Sequence, residues 1–195
     1  MNPSIVIPDR IKRLPRATNG YPTPFFVAEI DGVPDFRVAC EGKRVRCFKE
    51  NLCWICGERL EWWCAFAGGP LSMKNRHFSD GAMHVECAEF SMRVCPHILN
   101  PNAKKDDLAD LHARPGRKPI LAEHQSHDRP EYFAFCVTRL NKWHIERQGR
   151  YWFWALDQAP VAVRWWHRGK EIPDPYAIQL IVGRPAWPAK LNRCR

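Results

Sequence analysis

Two pairs of metal-ligating side chains stand out in the chain. The first is Cys53-Trp54-Ile55-Cys56-Gly57, and the second is His84-Val85-Glu86-Cys87. Two thiolates two residues apart face one ion when a tight turn lies between them, and Gly57 permits that turn. A His and a Cys three apart in a first helical turn project to one side and can close a tetrahedron over such a knuckle. Cys53, Cys56, His84 and Cys87 therefore read as one closed site. With all four positions filled by protein, Zn2+ there is expected to be structural rather than catalytic. Cys95, His97 and Cys64 are the competing ligands. A thioredoxin-like redox use of the Cys-x-x-Cys pair lacks the βαβ pattern that would surround it.

The elements needed to position these groups can be read on either side of them. After the knuckle, Leu60 to Phe66 reads as a hairpin strand, broken at Gly68-Gly69-Pro70. Ala82 to Val94 is the most helix-like segment, with Met83, Cys87, Phe90 and Val94 on one apolar face and Pro96 as its stop. Knuckle, hairpin, then ligands at a helix start is the order of a zinc treble clef, and this module is expected over residues 51–99. Residues 1–23 read as a basic, Pro-punctuated arm. A β-hairpin region is expected over 24–50, turning at Asp31-Gly32, with the charged residues 41–50 as a connection or strand edge. Residues 100–130 read as a long polar loop with one short helix near 105–112. An aromatic-rich β region fills 131–195, closing with a short helix near 175–182 that is capped by Asp174-Pro175 and ended by Gly183. The expected fold class is α+β: a zinc treble clef joined to a small antiparallel sheet.

Composition agrees with a folded chain. Of 195 residues 45% are hydrophobic, with 9 Trp and 10 Phe, enough to build a core, while 17 Pro predict short helices and many loops. No run of about 18 apolar residues occurs, so no membrane span is expected. The first twenty residues lack the pattern of a secretory leader, so a cytosolic location is expected. In that setting, 9 cysteines point to thiolates and metal rather than disulfides. The net charge of +9 is uneven, since residues 51–100 carry 4 basic and 5 acidic side chains. Any surface for a polyanion is expected outside the metal module.

Partner-binding candidates cluster near the C-terminus. Arg139, Lys142, Arg150, Arg164 and Arg168 are interleaved with Trp143, Trp165 and Trp166. Cations beside stacking rings suit single-stranded nucleic acid, and the same residue types anchor protein interfaces. Trp165 and Trp166 are adjacent, so in a strand they must face opposite sides, and one of them is expected to be exposed or to cover a second surface, a hint of a binding site. Asn75-Arg76-His77 before the helix raises a nuclease reading of the treble clef, although the helix offers no free His after its first turn. The bland reading is an ordered loop. His124, His127 and Asp128 could hold a second metal only with a further ligand. No phosphate loop, nucleophile elbow or paired-carboxylate motif occurs, so enzymatic function is not the favoured reading. Protein contact leads, and nucleic-acid binding is the main alternative.

Several stretches resemble an uncharacterised family of zinc-binding proteins from bacteriophages and prophage-bearing bacteria. They are FFVAEIDGVPDFRVA, LCWICGERL, GPLSMKNR, HVECAEFSMRVCPHIL and VAVRWWHRGKEI. The resemblance implies a zinc-binding phage-type protein and supports Cys53, Cys56, His84 and Cys87 as the ligand positions; a host or phage macromolecule is the expected partner. The resemblance implies no activity, and the sequence after Lys170 departs from the pattern.

Overall fold

The computed structural model describes residues 4–100, 130–148 and 151–172. Its fold is mixed α/β, with three small antiparallel sheets and a few short helices.

The N-terminal segment is tied to the body. Helix α1, Asp9–Lys12, follows Pro8, and its Ile11 is fully buried in the main core. The expected hairpin forms from β1, Val27–Ile30, and β2, Val33–Ala39. Asp31 and Gly32 turn with φ of 53° and 77°, the two left-handed positions that match the strand twist. Residues 41–50, expected as a connection or strand edge, are instead helical: α2 spans Glu41–Lys49. Glu41 in its first turn and Arg46 and Lys49 in its last suit the helix dipole. The segment has no wide apolar stripe. Cys47 enters the core while Arg44 lies over the Trp154 ring, 5.1 Å from its centroid, and donates to the Trp152 carbonyl. A charged side chain with a long stem thus does the covering that a periodicity search assigns to apolar residues.

Next come β3, Trp63–Gly68; α3, Pro70–Asn75, with Pro at its start; and β4, His77–Phe78. Helix α4 runs Val85–Val94, shorter at its start than the expected Ala82–Val94 because His84 is the extended N-cap. Pro96 ends it and opens the four-residue α5, Pro96–Leu99. The aromatic region supplies β5, Tyr132–Arg139; β6, Trp143–Gln148; β7, Tyr151–Leu156; β8, Ala162–His167; and β9, Lys170–Ile172. Most of the loop expected over 100–130, with its short helix, lies outside the described residues, as does the C-terminal helix expected near 175–182.

The strand order is β3-β5-β8-β9 in one sheet and β4-β7-β6 in another, with β1-β2 as a separate hairpin. Register settles the layering, because directly opposed residues in antiparallel strands point to one face. Phe135 opposes Arg164, and Phe133 opposes Trp166. This face meets α4 and α5, where Arg164 reaches Glu89 and Phe133 meets His97. The other face carries Phe66, which opposes Cys136. Phe66 packs on Phe78 and Trp143 of the three-stranded sheet, at 5.2 and 5.7 Å between rings. Helices, four-stranded sheet and three-stranded sheet therefore stack as three layers around one contiguous core that includes the knuckle.

This layering decides between the two alternatives for Trp165 and Trp166, in favour of covering a second layer rather than meeting solvent. They do face opposite sides of β8, yet both are buried, at 1% and 0% exposure. Strand β8 is internal, flanked by β5 and β9, and each of its faces is covered by another layer.

Candidate metal centre

The knuckle is a tight reversal held by its own backbone. Leu52 and Arg59 bridge at its base, the Cys53 N–H donates to the Glu58 carbonyl at 2.7 Å, and the Gly57 N–H donates to the Cys53 carbonyl at 2.9 Å. Gly57 sits at φ 75°, and a Cβ there would fall 2.7 Å from the Phe25 ring. Both the left-handed backbone and the close ring require glycine at this position. The knuckle is also tied outward, since Trp54 donates to the Ala82 carbonyl and Phe25 donates to that of Ile55.

The second ligand pair arrives from the opposite side. Met83 forms an antiparallel bridge with Ala65 of β3 through two backbone hydrogen bonds, which places His84 beside the knuckle. The strand expected over Leu60–Phe66 runs instead over Trp63–Gly68; its long pairing is with β5, and it meets Met83 through one bridge. His84 then caps α4, and Cys87 lies in its first turn.

All four side chains are buried, and their ligating atoms lie within 4.8 Å of one another. The His84 Nδ1 stands 3.4 Å from Cys56 Sγ and 3.9 Å from Cys87 Sγ. A tetrahedral zinc with bonds near 2.3 Å to sulfur and 2.0–2.1 Å to nitrogen requires about 3.6 Å between S and N. The cluster is therefore compatible with zinc. The ring's other nitrogen, Nε2, is 3.0 Å from the Arg59 carbonyl. A carbonyl can only accept, so Nε2 carries the proton and the Nδ1 lone pair faces the cluster, the arrangement a metal-bound imidazole requires. The His84 backbone N–H points to Cys53 Sγ at 3.4 Å.

The ionisation of the cluster supports the same conclusion. Burial opposes charge on Cys53, yet contacts from Cys56, Cys87 and the His84 N–H hold it well below the ordinary thiol range. Cys87 is driven far up, first by its contacts with Cys53 and Cys56 and then by burial. Three touching sulfurs cannot all ionise on their own, and a divalent cation removes that conflict. Zinc with three thiolates and a neutral imidazole would carry one net negative charge. Arg10 of α1 stands nearby, paired with Glu86 at 2.6 Å and Glu61 at 2.7 Å, with Glu58 at 3.8 Å. It fastens the N-terminal segment to the knuckle loop and to α4 together.

Arg10 and the Arg59 carbonyl were missed by sequence reasoning. A backbone carbonyl has no residue-type signature, and one Arg within a basic segment carries no spacing signal.

The competing ligands are elsewhere. Cys64 points to the Thr138 carbonyl at 3.7 Å, Cys95 is half-buried at the end of α4, and His97 packs on Phe133. Among the described residues no other group of three or more His, Cys, Asp or Glu side chains converges so closely. His124, His127 and Asp128 lie outside the described residues.

The partner-binding candidates do not form one surface. Arg164 is clamped by Glu89 and Glu171, each at 2.7 Å, over the Trp166 ring. Trp165 and Trp166 are core, and half-buried Trp143 packs on Phe66 and Phe48. Arg168 is exposed in the β8–β9 turn, and Arg150 lies outside the described residues. Arg139 opposes Trp63 on the neighbouring strand and stacks on its ring at 5.5 Å, with Lys142 in the turn beyond. Trp62 and Trp63 are 53% and 42% exposed, an aromatic pair that sequence reasoning had left inside the metal module. Asn75 ends α3, and Arg76, left-handed at φ 60°, caps it and turns the chain into β4.

No protein-family model, curated protein or solved structure matches the chain. No helix among the described residues is long and apolar enough to cross a membrane.

Proposed function

We propose that this chain is a structural-zinc protein of the treble-clef kind that docks on a partner protein and has no chemistry at its zinc. The closed set Cys53, Cys56, His84 and Cys87 carries this reading, because four protein ligands leave no coordination position for a substrate. The order of knuckle, β3, Met83 bridge and ligand-bearing helix start supports the treble clef.

The docking surface is Trp62, Trp63 and Arg139. Large apolar residues are ordinarily scattered singly on a surface, whereas here two adjacent Trp stand out beside a stacked Arg. Trp and Arg are the residue types that dominate interface energetics. The net charge of +9 and the nearby Lys142 suit a partner with an acidic face. The phage-type resemblance makes a protein of the host or phage the partner class.

The test compares wild type with the Trp62→Ala/Trp63→Ala double variant, each purified at low salt after nuclease treatment and checked for zinc by elemental analysis. A stoichiometric acidic protein that stays with wild type and is absent from the variant, both preparations holding zinc, is the expected result. Retention of nucleic acid that salt removes steeply would replace this reading with the nucleic-acid alternative. Zinc-free folded protein would end both.

A further inference from the structure

The four candidate ligands come from two separate pieces of chain. Cys53 and Cys56 belong to the knuckle, while His84 and Cys87 belong to the start of α4. An ion held by all four leaves only when these two pieces part. Arg10 spans the same gap. Its Nη2 is 2.7 Å from Glu61 and its Nη1 is 3.8 Å from Glu58, both on the knuckle loop. Its Nε is 2.6 Å from Glu86, which lies between His84 and Cys87 in the first turn of α4. Arg59, whose carbonyl accepts from His84 Nε2, lies between Glu58 and Glu61 in the chain. The carboxylates that Arg10 collects thus flank the groups that orient His84 and carry Cys87.

Arg10 has a fixed base. Neighbouring Ile11 is fully buried in the main core, Leu14 packs against that core, and Arg13 reaches Glu58 at 2.7 Å. One partly exposed ion pair contributes little, but one cation shared among three carboxylates is a network. Glu58, Glu61 and Glu86 converge beside a centre that would itself carry one net negative charge when zinc is bound, and Arg10 is the cation that meets all three. Its guanidinium is held above the usual arginine range, first by the Glu61 hydrogen bond, against burial, and further by the charges of Glu86, Glu61 and Cys56. The Cys56 thiolate is thus close enough to act on it.

We infer that Arg10 is a positioning residue for the metal centre, a latch that closes α4 onto the knuckle in parallel with the ion and slows the ion's release. The inference rests on the structural-zinc reading. Removing the guanidinium breaks the bridge and leaves three carboxylates repelling one another and the anionic centre across the gap. The response to salt then reverses. In wild type, salt weakens an attraction and hastens release. In Arg10→Ala, salt screens a repulsion and slows release. A residue that merely packs on the core gives no such reversal.

The experiment follows zinc loss from the full, zinc-loaded chain to a colorimetric chelator, at chelator concentrations where the rate no longer depends on chelator. At low salt Arg10→Ala should release zinc about tenfold faster than wild type, and the two rates should converge as salt rises. Arg10→Lys keeps the charge without the fork and should fall between them. Glu86→Gln breaks the α4 arm from a half-exposed position and should quicken release about threefold. Glu146→Gln, which breaks the 2.7 Å pair with His77 in the three-stranded sheet, should release zinc at the wild-type rate. Circular dichroism checks that each variant folds. The inference is overturned if Arg10→Ala and Glu86→Gln release zinc at the wild-type rate, or if salt shifts wild type and Arg10→Ala the same way. Elemental analysis separates this from the reading beneath it. Zinc-free wild type ends the zinc reading and the latch with it, whereas zinc-loaded wild type with unchanged variants ends the latch alone.

Discussion

Removing the metal should unfold far more than the metal-binding segment. Cys53, Cys56, Cys64 and Cys87 belong to the same buried cluster as Phe66, Phe135, Trp154 and Trp166, so no boundary separates the knuckle from the two larger sheets. A structural zinc in a site of this kind contributes about 10–16 kcal/mol at neutral pH, whereas a whole domain is stable by only about 5–15 kcal/mol. Even a loss of about 5 kcal/mol lowers Tm by roughly 10–20 °C in a chain of this length. Cys56→Ser removes one thiolate from a set whose Nδ1–Sγ spacings of 3.4 and 3.9 Å already suit a tetrahedral ion. The variant is expected to lose zinc and to show either no cooperative melt or a Tm lowered by at least that amount. In wild type treated with a strong chelator, tryptophan fluorescence and far-ultraviolet circular dichroism should collapse together, because Trp54 joins the knuckle to Trp154 of the second sheet. A zinc-free Cys56→Ser protein melting within about 5 °C of zinc-loaded wild type would refute the reasoning.

Two further outcomes follow from the core. Burial pushes the thiols of Cys47, Cys64 and Cys136 up to about 12, against about 8.5 in an unfolded chain. Their contribution to stability is therefore complete below about 8.5 and is lost as pH rises from there through 12. Denaturant midpoints of the zinc-loaded protein should fall steadily between pH 8.5 and 10.5, and iodoacetamide at pH 8 should modify half-buried Cys40 and Cys95 well before these three. Trp166→Ala should cost about 3–5 kcal/mol, because the ring is fully buried and stacked on Phe135 at 4.9 Å. Trp63→Ala should stay within about 0.5 kcal/mol; equal losses in the two variants by urea titration would contradict the assignment of one ring to the core and the other to the surface.

The Cys/His cluster was legible because its information is local: residue type, spacing and a helix start pick out four candidate ligands without knowledge of the remaining fold. The Asp31-Gly32 hairpin was legible for the same reason, since two left-handed positions need those residues. Helix α2 was not, because Arg44 covers Trp154 with its stem and leaves no apolar periodicity to detect. Trp165 and Trp166 show the other limit. Alternation along β8 gives the face each ring takes, but whether a face meets solvent depends on α4 and α5 on one side and the three-stranded sheet on the other, and no spacing within β8 records that. The His77–Glu146 pair joins residues 69 apart through the strand order β4-β7-β6, a relation that only topology creates.

That topology also explains why the proposed docking surface should depend on the metal without touching it. Strand β3 carries Trp63 at its start and, two residues on, Ala65, whose backbone clasps Met83 immediately before His84. Trp62 is held separately, by the Leu140 N–H donating to its carbonyl. If His84 and Cys87 let go of the knuckle, the Met83 bridge loses its anchor and β3 keeps only its pairing with β5. Trp63 sits at the end of that pairing, opposite Arg139, where a strand frays most easily. A metal held by the four ligands would thus stabilise the proposed surface by fixing one flank of β3 while β5 fixes the other, so the aromatic pair would be held in place from two directions rather than one.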